Sequence, residues 1–431
     1  MIAIFAVASL TACSPGIAQS AASAGDVAKS GASKADRPAG FTDNISVNGT
    51  LPADWQGGGG WRETTEKNAS NVFAVGDYLA YIAGNKYEKG TGGTLTKAGH
   101  LALVDGKGAT VYTSKEQTGF PVNHNSLSTV TKDGTLFLVY VESGLNKGKD
   151  DPNSLAKTPE AVEVSFVTVL DAKGKELYTK QIDGNVTVDS NTGDAVQING
   201  KTNDPIALMD VSNGERTPVP PMAGYDWIGN FDGVNIYDTT STPSTTEFNT
   251  MTRTVTNGNW TVTQKFPRDT FEWSEKDSPA MVGPNLVITT DSRDKDRSGR
   301  PTMSSSFPTK TYVAINPHTG KPADPAFSGS RFAITSPDRN FVLAADGVYS
   351  VKDRKAYPIS KTVDFSVLSI SNNGDVYGTS NHKTGVVNVL KGSEPKALPG
   401  ATLVPLVVSD GGLAAFNEST GGTNTLFVLK K

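Results

Sequence analysis

Alternating apolar and polar residues recur along most of the chain, and each run is interrupted by a short turn. The clearest copy is 166–178, FVTVLDAKGKELY, in which an alternating run ends at Asp171, crosses a turn containing Gly174 and restarts. Period-two alternation on both sides of turn residues predicts a β-hairpin. Comparable segments lie at 101–112, 206–219, 254–262, 312–327, 348–359 and 387–398.

A second pattern, Asp-Gly, Asn-Gly or a close variant, falls before an apolar run at eight places about 35 to 60 residues apart. Four short strands in a unit of that length are typical of a β-propeller blade. The sequence therefore predicts an all-β fold, a single β-propeller of four-stranded blades. Eight blades follow by count, and seven if the weak unit 185–219 belongs to its neighbour; an array of β-sandwiches is the alternative architecture.

The two ends of the folded part predict how the ring closes. The last apolar run, 426–430, has no second hairpin strand after it, and the early run 45–51 has no partner of its own. Pairing the two would complete the last blade with an N-terminal strand and remove two open sheet edges. Residues 55–61 hold four glycines between two tryptophans, but no Lys-Ser/Thr follows, so we interpret them as a flexible or tightly packed loop rather than a phosphate loop.

The N-terminal residues carry a targeting pattern. A short apolar run, 2–10, is too short to span a bilayer and is typical of the apolar region of a signal peptide. Leu10, Thr11 and Ala12 stand directly before the chain's one cysteine, Cys13. This resembles a bacterial lipobox, which implies cleavage before Cys13 and lipidation of its thiol. A buried structural cysteine is the alternative. No Lys or Arg precedes the apolar run, so we expect the true start to lie upstream.

The composition of the next residues predicts the domain organisation. Residues 14–40 are rich in Ala, Ser and Gly without apolar periodicity, which is typical of a disordered tether. We therefore predict a signal peptide at 1–12, the lipidated cysteine and tether at 13–41, and the propeller at 42–431. The net charge is −4 and no basic stripe stands out, so nucleic acid is not expected as a partner.

The hairpins resemble PQQ-like propeller repeats, which favour an apolar strand, an Asp and then Thr-Gly-Lys. The nearest copy is 312–321, YVAINPHTGK, with Asn316 in the place of the Asp, and no copy has the terminal Trp of that family. Together with the lipobox, the pattern is similar to lipid-anchored propellers of bacterial envelopes such as BamB-like lipoproteins. The resemblance implies a scaffold role in a larger assembly, although a shared fold does not establish a function.

No linear catalytic motif stands out. The four histidines are not spaced as metal ligands, and no Gly-x-Ser-x-Gly elbow is present. Asp294, Asp296 and Ser298 stand in the order of the first half of a calcium loop, whose oxygen ligands converge on a tight turn. The Glu expected later in such a loop is absent, so a solvated charged loop is the alternative. We expect no other cofactor.

The connections that precede the inner strands carry the most informative side chains. One holds Phe120 and His124, and two others hold the sets Tyr225, Asp226 and Trp227, and Phe271, Glu272 and Trp273. In a propeller these connections gather on one face, and aromatics with a polar tip suit recognition of protein, peptide or sugar. The alternative is that the rings pack between blades as core.

These observations predict a binding or scaffold module of a bacterial cell envelope, held to the membrane only through its lipid and lying outside the cytoplasm. The anchoring membrane would be the cell membrane, or the outer membrane where the organism has one. An envelope protein or glycan is the expected partner. The alternative function is an enzyme acting on envelope glycans, or a quinoprotein-like dehydrogenase.

Overall fold

A computed structural model describes residues 38, 41–65, 72–87, 95–115, 122–133, 135–146, 162–188, 196–199, 206–231, 233–239, 250–267, 280–282, 285–291, 310–322, 334–344, 347–359, 365–381, 383–392, 394–420 and 423–431. Within these residues the secondary structure is a short 3-10 helix, Ala53–Trp55, and antiparallel strands. No helix in this part of the chain is both long and apolar enough to cross a membrane.

The strands follow the chain in order. The first, β1, is Gly60–Thr65. The first sheet contains β2 (Val72–Val75), β3 (Tyr78–Ala83), β6 (His100–Val104) and β7 (Thr110–Thr113). Between β3 and β6 the chain forms a separate small hairpin, β4 (Lys86–Tyr87) and β5 (Leu95–Lys97). The second sheet has the longest strands, β8 (Val122–Lys132), β9 (Thr135–Asn146), β10 (Val162–Asp171) and β11 (Glu176–Asp183).

The next two sheets also have four strands. The third contains β12 (Asn185–Val188), β13 (Val196–Asn199), β14 (Ala207–Met209) and β15 (Arg216–Pro218). The residues 185–219, whose pattern is weak in the sequence, thus contain the four strands of one sheet. The fourth contains β16 (Asp226–Phe231), β17 (Val234–Asp238), β18 (Thr250–Thr256) and β19 (Thr261–Pro267).

The fifth and sixth sheets have three described strands each, β20 (Ala280–Val282), β21 (Asn285–Asp291) and β22 (Lys310–Ile315), then β23 (Phe341–Ala344), β24 (Gly347–Ser350) and β25 (Lys355–Pro358). Single bridges, Ile315 to Pro322 and Thr335 to Val342, add a fourth segment to each sheet.

The seventh sheet contains β26 (Ser366–Ile370), β27 (Asp375–Ser380), β28 (Lys383–Asn388) and β29 (Lys396–Ala397). The eighth contains β30 (Val407–Val408), β31 (Leu413–Thr420), β32 (Thr423–Lys430) and, at its outer edge, β1.

The architecture is a β-propeller, as the sequence predicted. Apart from β1 in the eighth sheet and the β4–β5 insertion in the first, each sheet joins sequential antiparallel strands. Apolar faces of neighbouring sheets pack on each other, for example Leu101 and Leu103 of the first sheet against Leu138 and Leu170 of the second. The described residues form eight such sheets. The number of blades that the sequence predicted, eight with seven as the alternative, is not confirmed.

The hairpin turns follow from local chemistry. Asp171 Oδ1 accepts backbone hydrogen bonds from Lys173 (2.8 Å) and Lys175 (2.9 Å), closing the turn between β10 and β11. Gly174 has φ +78°, and a Cβ there would lie 2.3 Å from a methyl group of Leu103 in the first sheet. Glycine therefore permits both the turn and the close approach of the neighbouring sheet.

The prediction for the strand that joins the two chain ends was wrong. Residues 45–51 form no strand, and β32 pairs instead with β1, from Gly60 opposite Leu429 to Thr65 opposite Asn424. The reason is packing: Ile45, Val47 and Leu51 lie on the face of the eighth sheet, against a cluster that includes Phe416 and Phe427. The same finding corrects the loop predicted at 55–61, since Gly60 and Trp61 already belong to β1.

Two contacts hold β1 in place. Trp61 is fully buried between the first and eighth sheets, and its indole N–H donates to the Tyr81 hydroxyl of β3 at 2.9 Å. Arg62 forms an ion pair of 2.9 Å with Glu418 of β31, whose side chain is 4% exposed. Glu418 also accepts a hydrogen bond from the Asn48 backbone, so one carboxylate binds both β1 and the segment that covers the sheet.

Candidate functional site

The structure places two of the predicted aromatic-face residues at equivalent positions. Trp227 is the second residue of β16 and His124 the third residue of β8, and each strand is the first of its sheet. His124 and Asp226 are exposed, whereas Tyr225 and Trp227 are half-buried. That these side chains form one ligand face stays a prediction.

Other predicted site residues lie outside the described part of the chain. They are Phe120, Phe271, Glu272, Trp273, the calcium candidates Asp294, Asp296 and Ser298, and the lipidation candidate Cys13. Within the described ranges, no three His, Cys, Asp or Glu side chains are grouped so that they could hold a metal ion.

An open cavity of about 440 Å³ lies beside the fourth sheet. Three segments line it: the connection 220–222, the start of β17, and the turn after β18, with His318 of the next sheet at its margin. The lining residues are Pro220, Pro221, Met222, Gly233, Val234, Asn235, Tyr237, Asn257, Asn259 and His318. Its volume falls within the range of about 300–1,000 Å³ that is typical of ligand pockets.

Asn235 connects this cavity to the predicted face. Its Oδ1 accepts hydrogen bonds from the Trp227 indole N–H (3.2 Å) and from the Asn230 amide (3.0 Å). Because both bonds use the oxygen, the side-chain orientation is fixed and the NH₂ group remains as a donor. Trp227 thus holds in place a residue that lines the cavity.

Asn257 presents similar chemistry at the opposite wall. Its Oδ1 accepts backbone hydrogen bonds from Asn259 (2.8 Å) and Trp260 (3.1 Å), which close the turn between β18 and β19. The Trp260 indole donates to the Pro317 carbonyl at 2.8 Å and so holds this turn against the fifth sheet. The Asn257 amide also donates to the Pro317 carbonyl at 3.4 Å, so both ends of this side chain are engaged within the protein.

The described cavity lining contains no Asp, Glu, Lys or Arg. The hydroxyl of Tyr237 donates to the Pro220 carbonyl at 2.7 Å, and burial raises the pKa of this tyrosine. The phenol therefore stays neutral at ordinary pH. Uncharged polar groups beside Pro220, Pro221 and Met222 suit an uncharged ligand with both apolar and hydrogen-bonding groups.

A second polar cluster lies between the first and second sheets. Glu142 is 4% exposed and accepts a hydrogen bond from the Tyr140 hydroxyl at 3.2 Å. Asn125 and Asn85 exchange side-chain hydrogen bonds of 2.8 and 3.2 Å, and Asn85 also accepts the Gly99 N–H. Burial, followed by the Glu142 charge, raises the pKa of Tyr140. These bonds hold the segment that carries β4 and β5 against β8, which is a structural role.

A third feature is a chain of hydrogen bonds between the turns that join the first two strands of successive sheets. The Asp338 N–H donates to Asn372 Oδ1, Asn372 donates to Asp410 Oδ1, and the Asp410 N–H donates to the Gly76 carbonyl, each at 2.9 Å. These turns belong to the sixth, seventh, eighth and first sheets. Burial, then the charges of Asp338 and Asp77, raises the pKa of Asp410 against the opposing effect of Asn372.

Arg339, next to Asp338, connects this series of hydrogen bonds to the second sheet. Its guanidinium donates to the Thr129 carbonyl of β8 at 3.0 Å, so it links the sixth sheet to the second. Its backbone φ of +58° is unusual for a residue other than glycine.

Sequence reasoning missed the cavity residues. Asn235, Asn257 and Asn259 look like ordinary strand-end and turn residues, and only the fold brings them together. The available signal was the run Pro220, Pro221 and Met222, which lies directly before the aromatic connection that the sequence singled out.

No protein-family model and no curated protein sequence matches the chain. Among solved structures, the β-propeller domain of the Trilobed protease from Pyrococcus furiosus is similar at a TM-score of 0.34 and 13% identity, over 72% of this chain and 94% of that one. A Trypanosoma rangeli sialidase in complex with sialic acid is similar at a TM-score of 0.27 and 9% identity, over 90% of this chain and 58% of that one. A Synechocystis apocarotenoid oxygenase mutant is similar at a TM-score of 0.25 and 12% identity, over 77% of this chain and 70% of that one. Likenesses at this level support no activity, and the fold assignment rests on the sheets themselves.

Proposed function

We propose that this chain is a binding module of a bacterial cell envelope, a lipid-anchored extracytoplasmic β-propeller that holds a partner in the cavity beside the fourth sheet. The open cavity, whose described lining holds no Asp, Glu, Lys or Arg, is the observation that carries the proposal. A binding role is favoured because that lining offers amide donors and apolar walls, with His318 as its one titratable side chain besides Tyr237.

Site-specific photocrosslinking in cells tests the binding. A photoreactive amino acid replaces Met222 in the cavity wall, and the control replaces Leu390, which is 49% exposed in the turn after β28. We expect a discrete adduct in the envelope fraction from position 222 and none from position 390. Equal labelling at both positions, or none at 222, would contradict the proposal.

The anchor is tested separately through Cys13. The chain is produced with its N-terminal signal segment intact, and we expect radiolabelled palmitate to enter the protein and detergent to be needed for its release. Cys13→Ala should abolish both properties. Unchanged membrane retention and labelling in that variant would show that Cys13 is not the lipidation site.

A further inference from the structure

One edge of β17 extends beyond its neighbour. The register between β17 and β18 consists of Tyr237 opposite Thr256 and Asp238 opposite Val255. The earlier residues of β17 pair only with β16, up to Phe231 opposite Val234. The segment 234–236 therefore has a strand on one side and the cavity on the other.

The backbone of Asn235 faces that cavity. Phe231 and Val234 flank a two-residue hairpin, so their backbone groups point towards each other and those of the next residue point away from β16. Thr239, four residues further on, has the same orientation and donates its N–H to the Thr254 carbonyl at 2.9 Å. At the level of Asn235, β18 has already ended, and the described contacts give this N–H and C=O no partner on that side.

The surrounding groups indicate what could pair there. A donor and an acceptor on one residue, arranged as in a β-ladder, match the backbone of an extended peptide. Pro220, Pro221 and Met222 provide an apolar wall for its side chains, and the described lining holds no Asp, Glu, Lys or Arg to pair with a charged residue. The fixed Asn235 amide offers a further donor for a peptide carbonyl.

We propose that the edge of β17 at Asn235 binds a short, uncharged, extended peptide segment of a partner protein by adding it as a strand within the cavity. This inference rests on the proposed function, because it specifies the ligand of the same cavity. It also accounts for the early end of β18, which leaves the edge of β17 open.

The first experiment is a screen with a matched control. The full chain is tested against a synthetic array of N-acetylated, C-amidated hexapeptides composed of Ala, Val, Leu, Pro, Ser and Thr. Asn259→Trp places a large ring at the cavity margin, and Asn373→Trp places the same ring in an exposed turn of the seventh sheet. We expect wild type and Asn373→Trp to bind the same hexapeptides, and Asn259→Trp to bind them at least about tenfold more weakly.

The second experiment tests the strand geometry. The best hexapeptide is N-methylated at one residue at a time, which removes a backbone donor. Since the open edge offers only the Asn235 carbonyl as a backbone acceptor, methylation should reduce affinity about tenfold or more at the one peptide residue that donates to it and leave the adjacent residues nearly unchanged. A uniform effect, or an effect only at the peptide ends, would overturn the strand-addition model.

The outcomes separate this inference from the proposed function. If no hexapeptide distinguishes Asn259→Trp from Asn373→Trp while crosslinking at position 222 succeeds, the binding module stands and the peptide inference is wrong. Binding of chitin oligosaccharides that only Asn259→Trp abolishes would likewise replace the peptide with a glycan. Failure of both crosslinking and peptide binding would overturn both proposals.

Discussion

The hydrogen bond between Trp61 and Tyr81 offers a direct measurement of how strongly the first and eighth sheets are joined. Trp61 is 0% and Tyr81 2% exposed, and their donor and acceptor are 2.9 Å apart. We consider Trp61→Phe, Tyr81→Phe and the double variant. A buried neutral hydrogen bond contributes about 1 kcal/mol, and a buried N–H left without its acceptor costs about 1–3 kcal/mol.

We therefore expect each single variant to lose about 1–3 kcal/mol of unfolding free energy, with a coupling energy of about 1 kcal/mol in the cycle. Trp61→Ala should lose about 3–5 kcal/mol, because it also leaves a cavity between the two sheets. That loss is a large share of the roughly 5–15 kcal/mol that stabilises a typical domain.

Urea unfolding followed by far-UV circular dichroism is the appropriate assay, since removing a tryptophan changes the fluorescence signal itself. Trp260→Phe is the matched control: its indole also donates across a sheet boundary, to the Pro317 carbonyl, but far from the chain ends. The loss of unfolding free energy caused by Trp260→Phe should be the same with and without Tyr81→Phe. Additivity of Trp61→Phe and Tyr81→Phe within about 0.3 kcal/mol would refute the reasoning.

Three further predictions concern charged groups. Glu418→Gln should lower the unfolding free energy by about 1–2 kcal/mol in urea titrations, a discounted value because Arg62 is 36% exposed; no loss would show that the pair contributes nothing. Arg339→Gly should be more stable than Arg339→Ala by about 1 kcal/mol, since both lose the side chain but only glycine tolerates the positive φ; equal thermal midpoints would contradict this. Asp410 has a raised pKa in the folded state, so the folded protein binds more protons and stability should fall as pH rises from the usual Asp range through the raised pKa. Asp410→Asn should remove that slope, which unfolding measurements across this pH window would detect.

The hairpins could be predicted because their signals are local. Asp171 caps its own turn and Gly174 supplies the positive φ, both within five residues of sequence. The strand that completes the eighth sheet depends on distant pairing. The apolar residues of 45–51 satisfy the same pattern by lying on the face of that sheet, so alternation alone could not separate an edge strand from a covering segment.

The site was predictable only in part, for a similar reason. Trp227 stands out in the sequence as an aromatic at a connection, and the structure places it inside a strand, as the second residue of β16. Asn235 carries no such signal, because its importance comes from the two donors that fix it and from the early end of β18. Both depend on which residues the sheet register places together.

The position of β1 also determines when the eighth sheet can be completed during synthesis of the chain. Arg62 and Glu418 are 356 positions apart in the sequence, so β1 lacks β32, the strand that it pairs with, while most of the chain is being made. At the usual elongation rate of about 5–20 residues per second, that interval is on the order of 20–70 s. During this time the earlier sheets can form while Trp61 remains without its final surroundings. A chaperone that shields residues 60–65 during this interval would protect a strand whose pairing strand has not yet been made.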